Sequence, residues 1–251
     1  MKMHDLNQDQ ETVVLLLHPM LANAQLMEKL LAEPMGKEFR YLIPDFSGHG
    51  DAAAELYHSA KQEAQEIALY LKEHGISSVR LAFGASMGGA VLMELSSQSG
   101  VSIEKLFFEG SSFHEKADKM EVLIRAVMIK KHRKAGKDVN RTITKMGRLF
   151  GDNVKEIMGR QLINIQEESL RNVVHDCGHV HLPQLTEAQQ RSCVFAYGEK
   201  DRNLKLAGKR LPQVYPHAAL KIWPSYGHCG RMTADPQAYA KMLKEYLSSN
   251  G

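Results

Sequence analysis

Ser86 lies in Gly84-Ala85-Ser86-Met87-Gly88, directly after the apolar run Leu81-Ala82-Phe83 and just ahead of a helix-compatible stretch, Ala90 to Ser96. A serine alcohol is a poor nucleophile until a positioned base takes its proton, and that base needs an orienting carboxylate. The sequence offers both, each just past a later apolar run. Asp201 closes Tyr197-Gly198-Glu199-Lys200-Asp201, and His228 sits in Tyr226-Gly227-His228-Cys229-Gly230. The five residues around Ser86 have the pattern of a nucleophile elbow, a strained strand-to-helix turn that exposes the hydroxyl. The turn is so tight that the positions two before and two after the serine must lack bulky side chains, which is the job of Gly84 and Gly88. The chemistry this would do is acyl transfer. Ser86 attacks a carbonyl, His228 takes and returns the proton, and Asp201 holds the imidazole tautomer. Two other carboxylates compete for the acid role: Glu199, two residues away, and Glu109, at the end of an earlier apolar run.

The tetrahedral oxyanion of such a reaction needs preorganised N–H donors, one of them from the residue after the nucleophile, which is Met87. The run His175-Asp176-Cys177-Gly178-His179-Val180-His181 invites a metal reading. Its spacing is too compressed for the separated ligand pairs of the familiar zinc motifs, so it reads as surface histidines in a connecting segment. Cys229 adjoins His228 but has no elbow around it. Met20, Met87 and the methionines of 113–190 either line an apolar pocket or fill the core.

These groups need a scaffold, and two periodicities alternate along the chain. Val13 to Leu17 is a continuous apolar run, as a strand buried on both faces would be. Phe39 to Pro44, Val79 to Phe83, Lys105 to Phe108, Cys193 to Tyr197 and Ala219 to Trp223 read as further strands. Between them come Leu26 to Ala32, the amphipathic 61–74, the segment after Ser86, and Leu204 to Val214, with a last helix carrying Tyr239, Met242, Leu243, Tyr246 and Leu247. Strands alternating with helices predict an α/β protein with a mostly parallel sheet of about six strands and helices on both faces. The alternation stops after Phe113, where Met120, Leu123, Ile124, Val127 and Met128 mark an amphipathic helix and helical patterning continues to about Val174. The expected organisation is a core of 1–112 and 191–251 with a helical lid, 113–190, inserted into it.

The chain resembles the α/β-hydrolase superfamily over nearly its whole length. The likeness rests on the Ser86 elbow, Asp45-Phe46-Ser47-Gly48-His49-Gly50, Tyr197 to Asp201, Gly227-His228, and the chain order Ser86, Asp201, His228. The resemblance implies a helical lid after the fourth strand. It also implies a second oxyanion donor from the loop after the first strand, where this chain has His18-Pro19-Met20, so Met20 is the matching residue. Pro19 stands where such proteins usually have Gly, which fixes φ there and removes an N–H that is not the catalytic one. His18 and His49 match positions where the family's histidine organises loops, and Glu109 stands where some members place the acid. Members usually begin with a two-strand hairpin, and only about twelve residues precede Val13 here. The implied activity is hydrolysis of an ester or thioester of a small acyl substrate through an acyl-enzyme, needing no cofactor or metal. The same arrangement also serves C–C bond hydrolases and lyases, and the fold supports non-catalytic ligand sensors.

The 251 residues, 43% apolar and 24% charged, suit one sizeable domain of ordinary globular composition. There is no apolar run of about 18 residues to span a membrane, and the polar start, Met1 to Gln10, has no apolar signal-peptide core. Three cysteines at irregular spacing (Cys177, Cys193, Cys229) argue against a disulfide framework. A cytoplasmic protein is expected. The net charge of +3 is unevenly spread, since 116–150 holds eleven Lys/Arg against three Asp/Glu. That excess could draw an anionic substrate, although a solvated helix face is the plainer reading. No aromatic residues interleave with it as single-strand binding requires. The expected partner is therefore a small molecule, with no nucleic acid or membrane, and the oligomeric state is open.

Overall fold

The computed structural model describes residues 1–98, 100 and 102–249. Strands β1 (Lys2–Leu6), β2 (Val13–Leu17), β3 (Arg40–Asp45), β4 (Ser78–Val79), β5 (Leu81–Ala85), β6 (Ser102–Ile103), β7 (Leu106–Glu109), β8 (Cys193–Gly198) and β9 (Ala219–Trp223) follow in chain order. Seven of them form one sheet in the order β1-β3-β2-β5-β7-β8-β9, and β4 and β6 make a separate parallel pair. Every pairing in the large sheet is parallel except β1 with β3.

All five residues of β2 and of β5 are buried, because both faces of the sheet are covered. The alternation of a strand sorts them into two layers. Val14 and Leu16 meet Leu26, Leu30 and the C-terminal helix Pro236–Ser248 through Tyr239 and Leu243. Val13, Leu15 and Leu17 meet the helices Ala60–Glu73, Met87–Ser96 and Leu204–Val214 on the other side. Each such buried aliphatic side chain contributes roughly 1.5–3 kcal/mol. Side-chain caps fix where the helices begin: Ser59 accepts from the Gln62 N–H, and Asp235 accepts from Ala238 ahead of Pro236 at the first turn.

The sheet has one strand more than the apolar runs mark. β1, Lys-Met-His-Asp-Leu, is an edge strand that pairs on one side only and stays partly exposed. Nothing requires such a strand to be continuously apolar, so it carries no strong pattern.

Between β7 and β8 the chain runs through the helices Asp118–Ala135, Val139–Phe150, Lys155–Asn164 and Glu167–Gly178, then the short Glu187–Arg191. The helix Asp118–Ala135 forms as its periodicity predicts, but most of its apolar stripe faces outward, Met128 alone of it reaching the cavity wall. Met120, Leu123, Ile124 and Val127 are exposed, while Glu121, Ile129 and Ala135 are buried. The inward position of Glu121 is held by His175, His179 and Arg125, all within hydrogen-bond reach of its carboxylate. Among the described residues no helix is long and apolar enough to cross a membrane.

Candidate active site

β5 ends at Ala85, and Ser86 then takes up φ 50° and ψ −109° as the residue capping Met87–Ser96. A left-handed φ is costly for a residue with a side chain, on the order of 1–3 kcal/mol, and persists where the surroundings over-determine it. Here the Ser86 N–H donates to the Glu109 carbonyl at 2.8 Å, and the Ser111 hydroxyl donates to the Ser86 carbonyl at 3.0 Å. The flanking glycines are sterically required. A Cβ on Gly84 would lie 2.6 Å from the Gly88 carbonyl oxygen, and one on Gly88 would lie 2.4 Å from that of Leu17. The second contact seats the elbow against the end of β2, so the loop that begins at His18 runs beside Ser86.

The three residues expected to act together do meet. His228 Nε2 is 3.0 Å from Ser86 Oγ, and His228 Nδ1 is 2.9 Å from Asp201 Oδ2. Asp201 is buried at the C-terminal end of β8, where its other oxygen accepts from the Asn203 N–H at 2.9 Å. Of Asp201, expected as the acid, and its two rivals, Asp201 is the carboxylate hydrogen-bonded to His228. Glu109 turns into the opposite layer, where its Oε2 accepts from Trp223 Nε1 at 2.9 Å and from the Tyr239 hydroxyl at 2.6 Å. Burial pushes its carboxyl up to about 7. Glu199 accepts from the Ser225 N–H at 2.9 Å on the surface. Neither is hydrogen-bonded to His228.

Burial opposes protonation of the His228 ring, while the adjoining Cys229 and the Asp201 carboxylate favour it, and the net direction is upward. Cys229 beside it is buried, with its thiol pushed up by that burial. Orientation is assured because only one nitrogen of a neutral ring bears a proton. With Nδ1–H given to Asp201, Nε2 is left as the acceptor facing Ser86 Oγ.

His18 and His49 are fully buried and serve the loops. His18 accepts from the Phe46 N–H at 3.1 Å and donates from Nδ1 to the Pro19 carbonyl at 2.9 Å. His49 donates to the Ser47 carbonyl at 3.1 Å. Burial, joined for His49 by the neighbouring His18, pushes the two rings down to about 4 and about 3, so both stay neutral. Asp45 organises the same region by accepting from the Ala24 and Asp51 N–H groups at 2.6 and 2.7 Å.

Ser86 and His228 open into a cavity of roughly 160 Å³, walled almost wholly by apolar side chains. The core supplies Met20 and Met27, and the helices between β7 and β8 supply Met128, Met146, Phe150 and Met158. Met87, in contrast, is fully buried and packs in the core. Lys131 is the one charged side chain in the wall apart from the titratable His228, and among the described residues it has no ion-pair partner. Leu21, Ser86 and Cys229, all in this wall, have φ of 68°, 50° and 52°. Half of the positive-φ non-glycine residues among those described thus gather at one place, where strain of this kind commonly accompanies function. Among the described residues, neither the Met20 nor the Met87 N–H has a protein acceptor. The sequence pattern did not single out Leu21, Lys131 or Asn203. Only Leu21 left a trace, as a non-glycine neighbour of Met20 in a loop that the elbow crowds.

No protein-family model matches the sequence, and a search of curated proteins returns no match. Solved structures do resemble it. A thermophilic esterase from Thermogutta terrifontis superposes with a TM-score of 0.74 at 17% identity, covering 98% of this chain and 94% of the other. A carboxylesterase from the thaumarchaeon Nitrososphaera gargenis gives a TM-score of 0.76 at 14% identity, with 98% and 93% covered. An alpha/beta hydrolase family protein from Desulfitobacterium hafniense gives 0.72 at 16% identity, with 98% and 100% covered.

Proposed function

The chain has the α/β-hydrolase fold, and on that premise we propose that it is a serine hydrolase cleaving an ester or thioester of a small, largely apolar acyl substrate. The observation that carries this reading is the continuous Ser86–His228–Asp201 hydrogen-bonded line, at 3.0 and 2.9 Å, opening onto an apolar cavity. In this reading His228 Nε2 takes the Ser86 proton as Oγ attacks the carbonyl carbon, and the carbonyl oxygen becomes an oxyanion. Asp201 stabilises the imidazolium formed at that moment. The unpartnered Met20 and Met87 N–H groups are the donors proposed for the oxyanion, each such bond being worth roughly 3 kcal/mol of transition-state stabilisation. The imidazolium then returns its proton to the leaving alcohol or thiol. Water, activated by the same base, releases the acid and regenerates Ser86.

The wall chemistry supports the substrate class. Flexible methionines fit an acyl chain without demanding one shape, and Lys131 would attract a substrate that carries an anionic group. The helices from Asp118 to Gly178 act, in this proposal, as the lid that sets acyl preference.

A fluorophosphonate probe tests the nucleophile. Wild type should label stoichiometrically and Ser86→Ala should not, with unchanged circular dichroism. A folded wild type that fails to label would end the hydrolase reading in favour of a ligand-binding role. On p-nitrophenyl esters of graded chain length, kcat/KM should rise with pH along an acid limb set by His228, because only the unprotonated ring can act as base. A flat profile through that limb would remove His228 from the role.

A further inference from the structure

We infer that the helices inserted between β7 and β8 carry a divalent transition-metal site, with zinc the best chemical fit, formed by Glu121, His175 and His179. His175 and His179 stand one helical turn apart near the end of Glu167–Gly178, so their rings lie on one face and stack at 4.5 Å between centroids. Both point at the same oxygen on the neighbouring helix. Glu121 Oε2 is 3.2 Å from His175 Nδ1 and 2.9 Å from His179 Nε2. All three candidate ligand atoms lie within 4.8 Å of one another.

Those separations are close to what a metal would impose. Bonds near 2.1 Å at tetrahedral angles put two ligand atoms about 3.4 Å apart. Binding therefore asks for small rotations of side chains already in place, with each neutral imidazole moving its proton to the far ring nitrogen. The second Glu121 oxygen is already held by Arg125 Nη1 at 3.1 Å, which leaves Oε2 directed at the histidines. Such orientation of a ligating carboxylate by a second hydrogen bond is typical of metal sites. Asp118 Oδ1, 3.5 Å from His179 Nε2 and well exposed, is in reach as a fourth ligand, with water as the alternative. Two imidazoles with one or two carboxylates select zinc, cobalt(II), nickel or copper over the oxygen-loving calcium and magnesium.

The site's position gives it a consequence. Ala117 N–H bonds the Gly178 carbonyl at 3.1 Å, so Glu121 and His179 flank the two stems by which the helical segment leaves and rejoins the sheet. A metal there would clip the stems together. The same first helix supplies Met128 and Lys131 to the cavity wall, so the clip would also steady one side of that cavity. None of this depends on the hydrolase reading, since the ligands take no part in the Ser86 site.

The test uses tag-free, chelator-treated protein titrated with zinc chloride by calorimetry and with cobalt(II) by visible absorbance. The expected result is one ion per chain, a d–d spectrum of a four- or five-coordinate site, and a Tm raised by about 5 °C with zinc in hundredfold excess over Kd. His175→Ala, His179→Ala and Glu121→Gln should each weaken binding at least about tenfold. His181→Ala, exposed and outside the cluster, should leave it unchanged and serves as the folding control. Absence of one-to-one binding in wild type, or binding that survives loss of both histidines in a folded double variant, would overturn the proposal.

Discussion

The sheet is held by apolar burial, and the helices inserted between β7 and β8 join to that burial a set of directional polar bonds. In the sheet, β2 and β5 bury every residue, and the helices against them present Ile67, Leu92 and Leu243 with no exposed surface. In the insertion, the 18-residue helix Asp118–Ala135 buries three residues and exposes Leu123 to 65%. The insertion buries Val154, Ile165, Leu170 and Val173 against the core, and a row of polar side chains also fastens it to the backbone of 48–60. Gln161 donates to the Gly48 carbonyl at 2.7 Å, Ser169 accepts from the Tyr57 N–H at 3.0 Å, and Asn172 donates to the Tyr57 carbonyl at 2.9 Å. Apolar burial is non-directional and shows in periodicity, whereas directional bonds to a loop leave no periodic trace. The chemistry of the Ser86 site sits on the sheet, and the inserted helices supply part of the cavity wall that faces it.

The largest effect expected from this division is on the core side, in the acid that orients His228. Asp201→Asn keeps the shape but can hold the imidazole in the wrong tautomer, and should lower kcat by about 10⁴-fold. Removing that negative charge should also move the acid limb of the pH profile to lower pH, because the carboxylate is one of the groups that raise the His228 value. Glu109→Gln should stay within about tenfold of wild type, since Glu109 serves Trp223 and Tyr239 instead. The reverse ranking would place the acid on β7. Stability gives Glu109 a separate signature. Its folded value near 7 lies above the unfolded one, so its contribution is present below about pH 4.5 and is lost as pH rises through 7. In Glu109→Gln the urea midpoint should fall less between pH 5 and pH 8 than in wild type.

A Cβ placed on Gly88 would meet the Leu17 carbonyl at 2.4 Å, where backbone stands on both sides and neither can rotate away. Gly88→Ala should therefore cost about 3 kcal/mol in urea unfolding, by forced displacement of packed structure. It should also dull the serine, because β2 and the Met20 loop shift together. A variant of near wild-type stability would mean that the elbow is softer than the rest of the core.

That contrast also governs what could be read from the residues alone. The six parallel strands, the elbow, and Asp201 with His228 were legible because continuous apolar runs and flanking glycines have one physical meaning each. β1 was not, since an edge strand needs neither. Asp201 is preferred to Glu109, but the bonds that draw Glu109 to Trp223 and Tyr239 left no mark in the sequence. The apolar stripe of Asp118–Ala135 predicted the helix and misplaced its buried face. Periodicity shows that a face is apolar, but not whether another element covers it. The histidines at 175 and 179 read as surface residues, as His175 is, and nothing in their own run marks that Glu121 lies opposite them.

On the insertion side the expected effects are smaller and local. Ser169→Ala leaves the buried Tyr57 N–H without an acceptor, which costs about 1–3 kcal/mol. That loss should appear as faster amide exchange in Glu167–Gly178 with β2 protection unchanged, because a docked segment can open without the core. If β2 lost protection in parallel, the two regions would be one cooperative unit.

The smallest expected effect is the sharpest test of the comparison. Leu123 is apolar, lies on the predicted stripe, and is nonetheless 65% exposed. If the stripe is solvated, Leu123→Ser removes little buried area and should change the urea midpoint by less than about 0.5 kcal/mol, with ester kinetics intact. The same substitution at Leu243, fully buried against the sheet, should be several-fold more costly. A loss above about 1.5 kcal/mol at Leu123 would mean that the stripe is covered in solution. Sedimentation would then identify the cover, since a second copy makes the midpoint depend on protein concentration and closure of the helix onto its own chain does not.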